Sequence, residues 1–224
     1  MIEFHNVSHR FGERTVLHGI DLAIAERRVA VVGGNGSGKS TLARLLNALL
    51  VPTTGRVLID GLDTRSDPRA VRRKVGFVFQ NPDAQIVMPL VEEDIAFGLK
   101  NLRLPKAEIA RKTDDILNRY GLAHLRHQHT HTLSGGEKQL LALSAVLVME
   151  PEYLVFDEPT TLLDLRNKRM MLSILQDLPQ TAIVISHDLD LLDGFDRVLV
   201  LHEGRIIADG PSAGTIRHYI EIMT

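Results

Sequence analysis

The sequence contains no cysteine, which excludes disulfides and thiolate metal sites and suits a reducing compartment. No uninterrupted apolar run approaches the roughly 18 residues that a membrane span needs, and the richest stretch, LLALSAVLVM, reaches about half of that. There is no excess of charge either. Lys and Arg number 26 against 28 Asp and Glu, a net charge of -2 without a basic patch or stripe, so nucleic acid is not an expected partner. The start, MIEFHNVSHRFGERTVL, is charged and alternating and lacks the apolar centre of a signal peptide. These absences predict a soluble cytoplasmic chain that acts at a membrane only through a partner. What remains is a balanced chain of 224 residues, enough for one substantial core or one domain with a lobe attached.

Residues 2 to 32 alternate apolar and polar and read as strands. A glycine loop, GGNGSGKST, follows the strand RVAVV and runs into a helix. GRVLIDG is again strand-like, and KVGFVFQ is a short buried-type strand. From Pro82 to Glu150 the period turns helical, in VEEDIAFGLKNL, KAEIARKTDDILNRYGL and GEKQLLALSAVLVME. EYLVFDEP, TAIVISHD and DRVLVLHEG then read as buried strands, with a helix near Asp164 to Asp177. Strands alternating with helices predict a mostly parallel α/β sheet covered on both faces. The expected organisation is one domain over 1–224, with 82–150 a helical lobe inserted into a core formed by 1–81 and 151–224. No repeat, low-complexity segment or long linker interrupts it.

Gly33, Gly34, Asn35, Gly36, Ser37, Gly38, Lys39 and Ser40 fit G-x-x-x-x-G-K-S/T between a strand and a helix. Glycines let successive backbone amides close around phosphate oxygens, the helix N-terminus adds positive potential, Lys39 reaches the outer phosphates and Ser40 can ligate Mg²⁺. The strand YLVFDEP delivers Asp157, to hold Mg²⁺ through water, and Glu158, to polarise an attacking water. Gln80 and His187 each follow an apolar strand of the same expected sheet. In open α/β sheets ligands bind beyond the carboxyl ends of the strands, so four strands are expected to converge on one site. The histidines of HLRHQHTH (His124, His127, His129, His131) lack an acidic partner in sequence and regular ligand spacing, and read as a solvated connector. LSGGEKQL poses a different question, because two adjacent glycines open an otherwise good helix at a cost of roughly 1 kcal/mol each.

Taken together, these stretches resemble the ATP-binding cassette (ABC) family over essentially the whole chain. GGNGSGKST, including Thr41, resembles its Walker A; VFQ its Q-loop; LSGGE its signature; YLVFDEP its Walker B; TLLD its D-loop; and ISHD its switch histidine. The resemblance implies an ABC ATPase fold: a P-loop NTPase with a RecA-like core, an N-terminal antiparallel β subdomain and an inserted α-helical lobe. It implies that Phe11 stacks on adenine, that Glu158 is the general base, that His187 contacts the γ-phosphate, and that Gln80 joins Ser40 and Asp157 around the metal. ATP and Mg²⁺ are the implied cofactors. In this family the signature of one subunit faces the Walker A of another, so Ser134, Gly135 and Gly136 are expected to meet a partner's phosphate, glycine allowing close backbone approach. Ser134 and Glu137 also fit a capping box, and Glu137 is expected to cap or to touch ribose.

QNPDAQIVMPLVEEDIAFGL, Gln80 to Leu99, is particularly similar to the ATPase (A) components of energy-coupling factor (ECF) importers, among them those for biotin, with cobalt and nickel systems open. That similarity implies a second ATPase subunit, most simply in a homodimer, and a transmembrane T-component and a substrate-binding S-component as partners, at the cytoplasmic face of the membrane. Many such A components carry an extra C-terminal region, whereas here the chain ends soon after LHEGRIIADGP, which suggests a compact subunit of a dedicated system. Leu140 departs from the arginine common after the signature, and altered local charge is expected there. A soluble cassette ATPase acting on nucleic acid or ribosomes is the alternative, and a small-molecule kinase would leave Leu133 to Glu137 and His187 without a role.

Overall fold

A computed structural model describes residues 1–161, 163–192 and 194–223, and for residues 190, 191 and 223 the backbone alone. Two sheets organise it. The first contains β1 (Ile2–Phe11), β2 (Arg14–Ile24), β4 (Thr54–Ile59) and β5 (Leu62–Asp63), antiparallel in the order β2-β1-β4-β5. The second contains β3 (Arg28–Val32), β6 (Val75–Val78), β7 (Tyr153–Asp157), β8 (Thr181–Ile185), β9 (Arg197–His202) and β10 (Arg205–Gly210), in the order β10-β9-β3-β8-β7-β6. All its pairings are parallel except that of β10 with β9.

The period of two along these strands sorts the core. Val29, Val31, Val155, Ile183, Ile185, Leu199 and Leu201 point toward the antiparallel sheet and α1 (Lys39–Leu46), where they pack with Phe4, Leu42 and Leu46. Leu154, Phe156, Ala182 and Val184 point to the other face, against α3 (Val91–Asn101), α4 (Lys106–Arg119), α5 (Gly135–Leu147) and α6 (Leu165–Asp177). Ala30, Val32, Val198 and Val200 meet Ile216 and Tyr219 of α7 (Ser212–Met223). Burial on both faces explains why β3, β7 and β8 read as continuous apolar runs. Each fully buried large apolar side chain contributes about 1.5–3 kcal/mol, and wholly enclosed Phe156 is among the largest in the lobe-facing core.

Several elements lie beyond the sequence reading. Helix α2 (Pro68–Lys74) starts at Asp67 with proline in its first turn and ends in Arg72, Arg73 and Lys74, a charge order that suits the helix dipole, but too short to show a 3.6 period. β10 and α7 follow the last strand that was expected. Helix α5 stops at Leu147, short of Glu150, whose positive φ of 55° turns the chain toward Pro151. Among the described residues no helix is long and apolar enough to cross a membrane.

Candidate active site

Strands β3, β8, β7 and β6 are neighbours in the sheet, and their carboxyl ends deliver the Gly33 loop, His187, Asp157 with Glu158, and Gln80 to one edge. The loop is shaped by close approach. A Cβ at Gly33 would lie 2.1 Å from the Leu201 carbonyl oxygen, and at Gly38, the φ 105° N-cap of α1, 2.9 Å from the Leu17 side chain. Gly36 is open and exposed beside exposed Asn35, while Thr41 is half-buried. The Ser37 amide donates to the Gly34 carbonyl at 3.2 Å, the Ser37 carbonyl accepts from the Gly204 amide at 2.9 Å, and among the described residues the buried Ser37 hydroxyl has no partner. Lys39, 6% exposed, donates from Nζ to the carbonyls of Gly33 and Gly34, both at 2.9 Å. Burial pushes its ammonium pKa down, against the opposing charges of Glu158 and Asp157.

Asp157 is 5% exposed and accepts the Ser40 hydroxyl at 3.0 Å. Burial raises its pKa, and the Ser40 bond and the Arg44 charge only partly offset that. Glu158 sits at φ 52°, a left-handed conformation that costs a residue with a side chain about 1 kcal/mol or more. Its amide donates to the Ile185 carbonyl at 2.9 Å, which pins the turn to β8. Its carboxylate is a meeting point. Oε2 accepts from Gln80 Nε2 and Thr161 Oγ1, each at 3.0 Å, and Oε1 lies 3.5 Å from Nδ1 of His187, whose side chain is half-exposed. Gln80, Glu158 and His187 are thus brought together, beside the Lys39, Ser40 and Asp157 group. Thr161 was missed by the sequence reading. The signal for it was the tight turn after Pro159, where the Thr161 amide returns to the Glu158 carbonyl at 3.4 Å.

Phe11 ends β1 at 50% exposure, outside the core, with its ring edge-on to His9 at a centroid distance of 4.7 Å. Its sheet is tied to the phosphate loop indirectly, since the His18 amide donates to the same Gly204 whose amide holds Ser37.

The signature residues stand apart. Among the described residues, no hydrogen bond or ion pair joins Ser134, Gly135, Gly136 or Glu137 to the phosphate loop. Ser134 caps α5, and the capping box is complete: the Ser134 amide donates to Glu137 Oε2 at 2.8 Å, the Ser134 hydroxyl at 2.7 Å, and the Glu137 amide reaches Ser134 Oγ at 3.4 Å. The bonds from the Ser134 hydroxyl and amide hold the Glu137 carboxyl below its ordinary pKa. The two glycines differ. Gly135 is exposed, and a Cβ there meets nothing within 4 Å; one on buried Gly136 would lie 2.4 Å from the Asn167 carboxamide of α6. Asp164 caps α6 and accepts the backbone amide of Asn167 at 2.8 Å. The expected D-loop lies partly outside the described residues at Leu162.

Two expectations change. His127 does have an acidic partner, Glu92, at 3.0 Å, although among the described residues no group of three or more His, Asp or Glu gathers as a metal site. Leu140 is 7% exposed within the apolar cluster under the lobe, so its position is core and not a site of surface charge.

The model of the ABC transporter family matches residues 17–161. A putative ABC transporter ATP-binding protein of Deinococcus radiodurans is 63% identical over 224 residues, covering 100% of this chain and 99% of its own. The biotin transport ATP-binding protein BioM of Rhizobium etli is 50% identical over 221 residues, covering 99% and 98%. Among solved structures, cbiO1 from Clostridium perfringens, part of the ABC transporter complex cbiONQ, superposes with a TM-score of 0.85 at 34% identity, over 99% of this chain and 92% of that one.

Proposed function

The chain belongs to the ABC transporter family, as an ABC ATPase, and from that premise we propose that it is the ATP-hydrolysing motor subunit of an ECF-type importer, working as a dimer. One observation carries the dimer. Among the described residues Ser134 to Glu137 make no hydrogen bond to their own phosphate loop, yet exposed Ser134 and Gly135 open a helix N-terminus of the kind that binds anions. A second subunit would bring its loop to that terminus and bury ATP between the two. The chain is read as one domain over 1–224, with 82–150 as the lobe.

Within each site, the backbone amides of 33–40 cradle the phosphates and Lys39 turns from the Gly33 and Gly34 carbonyls to phosphate oxygens, with Asn35, Ser37 and Thr41 around them. Phe11, free of the core, stacks on adenine. Mg²⁺ fits the donor set, because Asp157 is a buried carboxylate without a bonded cation among the described residues, Ser40 supplies a hydroxyl beside it and the Gln80 carboxamide an oxygen. Bound there, the ion would neutralise charge developing on the phosphates. Glu158 takes the proton of the attacking water, and His187 contacts the γ-phosphate.

The partners are a membrane T-component and an S-component. A cavity of about 310 Å³, lined among others by Arg72, Val87, Phe97 and Met149, lies beside the segment after Gln80 and would receive a helix of the T-component at the cytoplasmic face. Exposed Val87 and Phe97 suit such a contact. Biotin is the favoured solute by likeness to BioM, bound by the S-component and not by this chain. The test is Glu158→Gln, which should bind ATP and accumulate a closed dimer without turnover, with Lys39→Ala losing both. Unchanged turnover in Glu158→Gln would refute the general base. Coexpression with its genomic neighbours should copurify membrane subunits, and biotin uptake that proceeds without this chain would refute the solute.

A further inference from the structure

Strand β6 ends at Val78, so the Phe79 amide is the first beyond the sheet ladder, and Gln80 follows at the Glu158 carboxylate. The chain then turns through residues 82–84, where Asn81 accepts the Asp83 amide at 3.0 Å. The side chain of Gln85 reaches back across this turn in two directions. Its Oε1 accepts the Phe79 amide at 3.1 Å, and its Nε2 donates to the Ala142 carbonyl of α5 at 2.8 Å. The carboxamide offers a donor and an acceptor on one planar group without any change of protonation. A second tie runs alongside, from Lys138 in the first turns of α5 to Asp83 at 2.7 Å, but Asp83 is largely exposed and solvent weakens that pair. Gln85 also lines the 310 Å³ cavity. One side chain therefore touches the backbone that positions Gln80, the helix whose N-terminus carries Ser134 to Glu137, and the groove beside both.

We propose that Gln85 is a positioning residue that locks the Gln80 loop to α5, so that a shift at the Glu158 site and the orientation of the signature helix are transmitted as one movement. This rests on the nucleotide-site reading above. Without the bond to Ala142, α5 samples orientations that do not present its N-terminus to a second subunit, while the phosphate loop, which among the described residues makes no hydrogen bond to Gln85, is untouched.

The experiment uses the full chain carrying Glu158→Gln, with ATP and Mg²⁺. Gln85→Met keeps the volume and loses both bonds, and Gln85→Glu keeps the acceptor for Phe79 but loses the donor to Ala142. Binding of a fluorescent ATP analogue to the dilute monomer should be unchanged in both, while the dissociation constant of the ATP-bound dimer, by sedimentation, rises roughly tenfold, the scale of one such bond lost. A merely structural role would lower the unfolding temperature and leave that constant alone. If Gln85→Met does not unfold cooperatively, Gln85→Glu decides. Dimerisation equal to the parent overturns the proposal, as does a loss of monomer nucleotide affinity that accounts for the weaker dimer. A parent that never dimerises with ATP overturns the nucleotide-site reading and this proposal with it.

Discussion

Substituting alanine at each signature glycine in turn separates the two demands that this short sequence meets. At Gly135 the added methyl enters open space, and replacing glycine in the first turn of α5 should stabilise the nucleotide-free chain by about 0.4–1 kcal/mol. At Gly136 the same gain in helix propensity, about 1 kcal/mol, is opposed by a methyl that would stand 2.4 Å from the Asn167 carboxamide. Overpacking of that kind costs about 1–3 kcal/mol, so the net is a destabilisation of about 1 kcal/mol. For a chain of this size each kcal/mol moves the melting temperature by about 2–4 °C, which calorimetry resolves. Adding Asn167→Ala should remove the clash and turn Gly136→Ala from destabilising to neutral or better. Function should run the other way at Gly135. In a Glu158→Gln background Gly135→Ala should weaken ATP-driven dimerisation although the monomer is more stable, because the methyl lies where the phosphate of the proposed second subunit would approach the helix N-terminus. A Gly136→Ala chain at least as stable as its parent, or one that Asn167→Ala does not relieve, would refute the assignment of Gly136 to packing.

At Glu137 the hydrogen bonds from Ser134 depress the folded pKa, so their stabilisation is present above the unfolded value of about 4.3 and is lost as pH falls through the folded value. Urea unfolding should show Glu137→Gln less stable by about 0.5–1 kcal/mol at neutral pH and equal to the parent in acid. Should Glu137→Gln strongly tighten the ATP dimer instead, the carboxylate lies near phosphate and the ribose placement is wrong. Burial raises the folded pKa of Asp157, the opposite sign, so its charge destabilises the nucleotide-free chain once pH exceeds the unfolded pKa. Asp157→Asn should therefore be the more stable protein at neutral pH, with the gain shrinking toward acid, and should be inactive; a less stable variant would contradict the desolvation account. Thr161→Val removes one donor to Glu158 at constant shape, and steady-state kinetics should show a lower kcat with little change in KM for ATP; a change confined to KM would place Thr161 outside the chemistry.

Much of this site was legible because its residues come in contiguous stretches whose order and context carry meaning. Gly33 to Ser40, Asp157, Glu158 and the capping box at Ser134 each depend on local spacing, and the alternation of buried strands announced the parallel sheet on which they sit. What was not legible depends on tertiary approach. Nothing in the sequence says that Gly136 lies under Asn167, or that Gly33 presses against the Leu201 carbonyl, because those partners are 31 and 168 positions away. The acidic partner of His127 is Glu92, 35 residues upstream, and no spacing in the sequence announces a pair formed across that distance. Leu140 looked like a missing surface charge because the expectation came from resemblance; its helical phase beside Leu141 and Leu143 already favoured the core.

The left-handed backbone of Glu158 ties these observations to mechanism. A strand that simply ended at Asp157 would carry the next side chain on across the sheet edge, away from Gln80 and Thr161. The turn at φ 52° brings the carboxylate back over that edge, and the amide bond to Ile185 resists its relaxation. Glycine would occupy this conformation without strain, yet it has no carboxylate, so the strain is the cost of having an acid at this point. In the nucleotide-free chain the same carboxylate is held by Gln80 and Thr161 and faces His187. In the general-base role proposed for Glu158, a water that uses Oε2 would share it with Gln80 and Thr161, whereas Oε1 faces His187. On that proposed role, turnover would depend on how the Gln80 loop is placed, and so on whatever moves that loop.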